Sequence, residues 1–80
     1  MDEPKKYREP GDKRAIYVGW YTEASGKSGY KLLQRNSGRV ATPYKGIDGT
    51  SEIRFMIWRT EDEAQAYLDR LAKIRNWRQV

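Results

Sequence analysis

Tyr17, Tyr21, Arg54, Met56 and Trp58 are the residues of this chain best suited to chemistry, and that chemistry is recognition. They lie in two alternating stretches, one from Ala15 to Glu23 and one from Ser51 to Thr60. Alternate residues of a strand share a face. Between Ser51 and Thr60, Ile53, Phe55 and Ile57 form one set, while Arg54, Met56 and Trp58 form the other. A strand with one face in water should carry polar residues on its second face. Here that face offers a cation, a thioether and an indole, so it is either buried or a binding surface. Rings among cations on an open sheet suit a single-stranded nucleic acid, because every base has a π-face to stack and every phosphate needs Lys or Arg beside it.

Other residues join this face through pairing. Tyr17 and Tyr21 come from the first strand, and Gly19 between them leaves room for a base or backbone to approach. The second strand, Tyr30 to Arg35, contributes either Lys31, Leu33 and Arg35 or Tyr30, Leu32 and Gln34. A one-residue slip exchanges the two sets. The first is preferred, because Tyr30 and Leu32 suit a core. Lys27 stands at a loop tip and adds one point charge. Gly26-Lys27-Ser28 ends like a P-loop, but Tyr21 stands where that motif needs its first glycine, and a strand follows where it needs a helix. The same aromatic, Met and Arg residues also suit a protein interface. Aromatic cross-strand pairs are besides an ordinary device of sheet stability.

Composition narrows the alternatives. The 80 residues contain no histidine and no cysteine. The commonest general base and the strongest side-chain nucleophile are therefore missing, and catalysis is not expected. Metal binding through nitrogen or sulfur ligands is excluded, no Asp/Glu loop resembles a calcium site, and no cofactor is implied. The formal net charge is +5. Residues 15–60 hold seven Lys/Arg against three Asp/Glu, whereas residues 1–14 and 61–80 are nearly balanced. A basic middle segment points to a polyanionic partner. The chain has no apolar run long enough to span a membrane and no signal-peptide core near its start, so a cytoplasmic protein is expected.

The elements that must position these residues follow from pattern. Residues 1–14 carry mixed charge, Pro4, Pro10 and Gly11, with Tyr7 as the one large apolar group, and read as a flexible or loosely docked arm. Residues 15–80 read as a single α+β domain. Ile16, Val18 and Trp20 share one face of the first strand. Ser25 to Gly29 is a hairpin loop, Asn36 to Gly38 a turn, Arg39 to Tyr44 a short third strand with Pro43 at an edge, and Lys45 to Thr50 a further turn. Ser51 to Thr60 is the fourth strand. Thr60 with Glu63 matches a capping box, and Glu61, Asp62 and Glu63 suit the positive end of a helix. Ala64, Tyr67, Leu68, Leu71 and Ile74 then recur along one stripe of a helix from about Glu61 to Asn76, with Asp69 and Lys73 as an i,i+4 pair. Trp77 should fold back onto the core or join a partner surface. The expected architecture is an antiparallel sheet of about four strands with one C-terminal helix on one face, in the order ββββα.

In layout the chain resembles the small β-β-β-β-α nucleic-acid modules of the PUR and Whirly type. The resemblance runs through K-R-A-I-Y-V-G-W-Y, G-Y-K-L-L-Q-R and I-R-F-M-I-W-R-T-E-D-E-A, covering residues 13–76. It implies binding of single-stranded DNA or RNA on the open sheet, often by a homodimer. A second resemblance, to the WGR domain, rests on Ser37 to Val40, the E-D-E-A passage and Trp77, with Ser37 where that family carries its tryptophan. The expectation is a non-catalytic nucleic-acid-binding protein that uses Tyr17, Tyr21, Lys27, Lys31, Arg35, Arg54, Met56 and Trp58. The alternative is a protein-interaction module docking the same face on a partner or on itself.

Overall fold

In the computed structural model, residues 5–35, 40–46 and 52–80 are described. They form an antiparallel five-stranded sheet and one C-terminal helix, an α+β arrangement. The strands are β1 (Tyr7–Arg8), β2 (Ala15–Thr22), β3 (Ser28–Arg35), β4 (Ala41–Pro43) and β5 (Arg78–Gln79). Their order across the sheet is β4-β3-β2-β1-β5. The helix, α1, spans Glu61–Arg75. The turns expected at Asn36 to Gly38 and at Asp48-Gly49 lie outside the described residues.

The central hairpin forms where alternation and turn chemistry agree. β2 and β3 pair from Ile16↔Gln34 to Thr22↔Ser28. Gly26 adopts φ +94°, a left-handed conformation that glycine reaches without steric cost, and this closes the loop between them. The Glu23 amide donates to the Lys27 carbonyl at 2.7 Å to seal its base. Ile16, Val18 and Trp20 share a face with Leu32 and Tyr30, as the preferred register requires. Trp20 meets Tyr30 edge-on at 5.2 Å and remains 59% exposed, because it lies beyond the cover that α1 provides.

The helix starts at the expected cap. Thr60 has extended backbone, and its Oγ1 accepts the Glu63 amide at 3.2 Å. Leu68 and Ala72 are buried in one core with Ile16 and Leu32, Ala64 is buried too, and Tyr67 and Leu71 pack partly buried against that core. Ile74 falls at the margin of the stripe and is left in solvent. Asp69 does not pair with Lys73. It accepts instead from Tyr7 Oη at 2.6 Å and Gln65 Nε2 at 3.0 Å. Asn76 closes the helix in the left-handed conformation, and the Trp77 amide returns to the Ala72 carbonyl. Trp77 is buried and meets Tyr44 edge-on at 5.5 Å.

Two regions depart from the sequence expectation. The N-terminal arm, read as flexible or loosely docked, supplies β1 to the sheet. Tyr7 is buried in the core and hydrogen-bonded to Asp69, and β1 pairs with β2 on one side and β5 on the other. One buried tyrosine and two strand partners are enough to dock it. The stretch from Ser51 to Thr60, read as the fourth strand, is not one. Glu52–Phe55 form a 3-10 turn, and only Trp58 bridges the sheet, exchanging two 2.9 Å bonds with Tyr30. The reason is space on the edge of β3. β4 already pairs with Leu33 to Arg35, and the Tyr44 amide takes the Leu32 carbonyl. On the remaining 28–31 end of β3 the segment makes one bridge, at Tyr30. A turn with three residues per repeat also splits the expected apolar face. Ile53 enters the core, Phe55 is 66% exposed, and Ile57 lies against Gly29 on the other side of the sheet.

Candidate nucleic-acid interface

The face of the sheet away from α1 follows from the pairing register. Residues opposite one another in an antiparallel pair project on the same side. Tyr17, Gly19 and Tyr21 therefore share this open face with Leu33, Lys31 and Gly29. Arg8 lies opposite both Ala15 and Arg78, so all three belong to it as well. One more step of the β2–β3 register sets Ala15 beside Arg35, which pairs with Ala41. A row across all five strands thus reads Arg78, Arg8, Ala15, Arg35, Ala41. The next row carries Tyr17, Leu33 and Pro43, with Lys6 beyond β1.

Tyr17 is the ring at the centre of this region. Lys6 Nζ lies 5.8 Å from its centroid, and the Arg35 guanidinium lies 6.0 Å away. These distances sit at the outer limit of a cation–π contact, so neither cation is committed to the ring. Arg8 and Arg78 stand directly opposite one another, an arrangement that repels unless an anion lies nearby. Among the described residues neither has an ion-pair or side-chain hydrogen-bond partner. The nearby carboxylates are occupied. Asp12 pairs with Arg14 at 2.8 Å, and the Arg14 contact holds its carboxyl below the usual range. Burial, and then the neighbouring Glu9 carboxylate, push the Tyr44 hydroxyl upward. Glu23 is taken by Lys31.

The eight residues singled out from sequence divide in three. Tyr17, Tyr21 and Arg35 lie together on the open face, the tyrosines half-buried and the arginine exposed. Lys27 is exposed at the hairpin tip, and Arg54 is exposed in the 3-10 turn, its guanidinium 4.5 Å from the Phe55 ring. Lys31, Met56 and Trp58 are not available to a ligand on this face. Lys31 is only 2% exposed, and its Nζ donates to Arg54 O at 2.8 Å and to Glu23 Oε1 at 3.2 Å. It clips the 3-10 turn to the sheet. Trp58 takes the side of Tyr30 by its bridge and packs on Tyr67 of α1 at 5.0 Å, and Met56 packs against the core. Both belong to the helix side because the segment turns instead of running on as a strand. The space expected over Gly19 is also filled, since a Cβ there would stand 2.8 Å from Leu33 Cδ1.

Sequence reading missed Lys6, Arg8 and Arg78 because they sit in the arm and the tail, where no alternation marks a strand. Their signal is short: Tyr7 between Lys6 and Arg8, and Trp77 before Arg78, each put a buried ring next to outward-facing cations. Among the described residues no group of His, Cys, Asp or Glu could hold a metal, and no helix is long and apolar enough to cross a membrane. Comparison with known proteins found no match to a family model, to a curated protein or to a solved structure.

Proposed function

We propose that the chain binds nucleic acid, single strands in preference, on the open face of its sheet. One observation carries this reading: Tyr17 stands between Lys6 and Arg35, beside a row in which Arg78, Arg8 and Arg35 have their carboxylate neighbours already occupied. A base stacks on the Tyr17 ring, and the phosphates on either side meet Lys6 and Arg35. Arg8 and Arg78 extend the phosphate track towards the β5 edge. An anion between them relieves the repulsion that their register imposes. Tyr21 offers a second ring further along β2. A duplex is less suited, because among the described residues the short strands and a half-buried ring provide a stacking surface but nothing shaped to enter a groove.

The test is a titration of a labelled oligonucleotide at several salt concentrations. Tyr17→Ala should weaken binding by about 1–3 kcal/mol for one stacked base. Arg35→Ala and Lys6→Ala should each lower the salt slope by about 0.7 for a single strand, while leaving the unfolding temperature within a few degrees of the parent. An affinity that does not change with salt would sink the proposal. So would a chain that ignores oligonucleotide and forms a tight dimer through this face.

A further inference from the structure

We infer that Phe55 is a second base-stacking station on the open face, so that a strand of two or more nucleotides crosses the sheet from Tyr17 to Phe55 instead of running along one strand. The inference rests on the nucleic-acid reading and deepens it. Phe55 is 66% exposed, although a phenylalanine in so small a protein has every reason to enter the core. The Arg54 guanidinium lies 4.5 Å from its ring centroid. Together with Pro43 and Lys45 these two residues line a shallow cavity of about 390 Å³. Among the described residues the lining is two apolar rings and two cations, with no carboxylate. An apolar peptide would leave both cations without partners, whereas a base with its phosphate answers all four groups.

The position is set by pairing. Pro43 lies opposite Leu33, and Leu33 opposite Tyr17, so the cavity ends the row that Tyr17 begins. Two strand spacings separate them, about 10 Å, with the buried Leu33 between. The turn that presents Phe55 is anchored. Lys31 Nζ bonds the Arg54 carbonyl at 2.8 Å, the Met56 amide bonds the Ile53 carbonyl at 3.0 Å, and Ile53 is buried. A phenylalanine held in solvent by a buried lysine is placed for a ligand, because the turn restricts its motion before anything binds.

The experiment compares thymidine oligonucleotides of increasing length against the parent chain, Phe55→Ala, Phe55→Trp and Tyr17→Ala, with sedimentation of each. Phe55 is no part of the buried core, so Phe55→Ala should keep the parent's unfolding temperature. It should weaken the longer oligonucleotides about 5- to 150-fold, the range that one stacked base supports. Phe55→Trp should bind as well as the parent or better. Oligonucleotide binding by Phe55→Ala within twofold of the parent, while Tyr17→Ala loses it, would overturn the second station and leave the Tyr17 site standing. If the parent binds no oligonucleotide at all, both readings fall. If Phe55→Ala abolishes a dimer without touching oligonucleotide affinity, the occupant is a second copy of the chain and this inference is wrong.

Discussion

The two faces of the sheet are built from the same strands but serve different ends. Under α1, Tyr7, Ile16 and Leu32 share one face, each less than a tenth exposed, closed over by Leu68 and Ala72. On the other side the same strands present Lys6, Arg8, Tyr17 and Arg35, and among the described residues no helix covers them. The first face holds the fold by burial. The second gives its positions to cations that add nothing to burial and repel one another. That difference separates what folding requires from what a partner requires. Lys31 is the exception among the cations: it lies on the open face by register, yet it is buried and works for the fold.

The largest effect expected from disturbing this division is Leu68→Ala. The side chain is fully buried, and its loss should cost about 2–5 kcal/mol in urea denaturation, a large share of the stability of an 80-residue chain. If the faces are independent, whatever remains folded should bind oligonucleotide with unchanged affinity. Lys31→Met comes next and probes the exception. It leaves the Arg54 carbonyl without its donor and Glu23 without its cation, which should cost about 1–3 kcal/mol of stability. Because the clip holds the 3-10 turn, oligonucleotide binding at Phe55 should weaken with it, whereas Arg35→Ala should weaken binding alone.

The smallest effect concerns pH. Burial, and then the bond to Asp69, push the Tyr7 phenol up to about 12. A raised folded value means that the neutral phenol is favoured in the native state. Its contribution is therefore complete below about 10, the ordinary tyrosine value, and is lost as pH climbs from there through about 12. Denaturation midpoints measured across that window should fall for the parent chain and fall less for Tyr7→Phe. An equal decline in both would show that Tyr7 does not tie β1 to α1 as described.

Much of the helix side is legible in the residue order alone. Thr60, the acidic first turn and the Ala64–Leu68 stripe are local signals, read over a few residues, and they mark α1 to within one residue of its end. The β2–β3 hairpin is legible for the same reason, since Gly26 and two alternating stretches meet within one short loop. From these the residue order favours Tyr17, Tyr21, Leu33 and Arg35 on one face, and the β2–β3 pairing register places them there. The residue order could not place the stretch from Ser51 to Thr60. Its alternation describes a strand well, but a strand also needs a free edge, and β4 had taken Leu33 to Arg35 of that edge of β3. It could not place Lys6, Arg8 and Arg78 either, because a two-residue strand has no period to detect. Tertiary structure decided both, through competition for backbone partners: the arm and tail found an edge, and the longer segment did not. That competition sent Trp58 to the core, left Phe55 in solvent and gathered the cations around Tyr17.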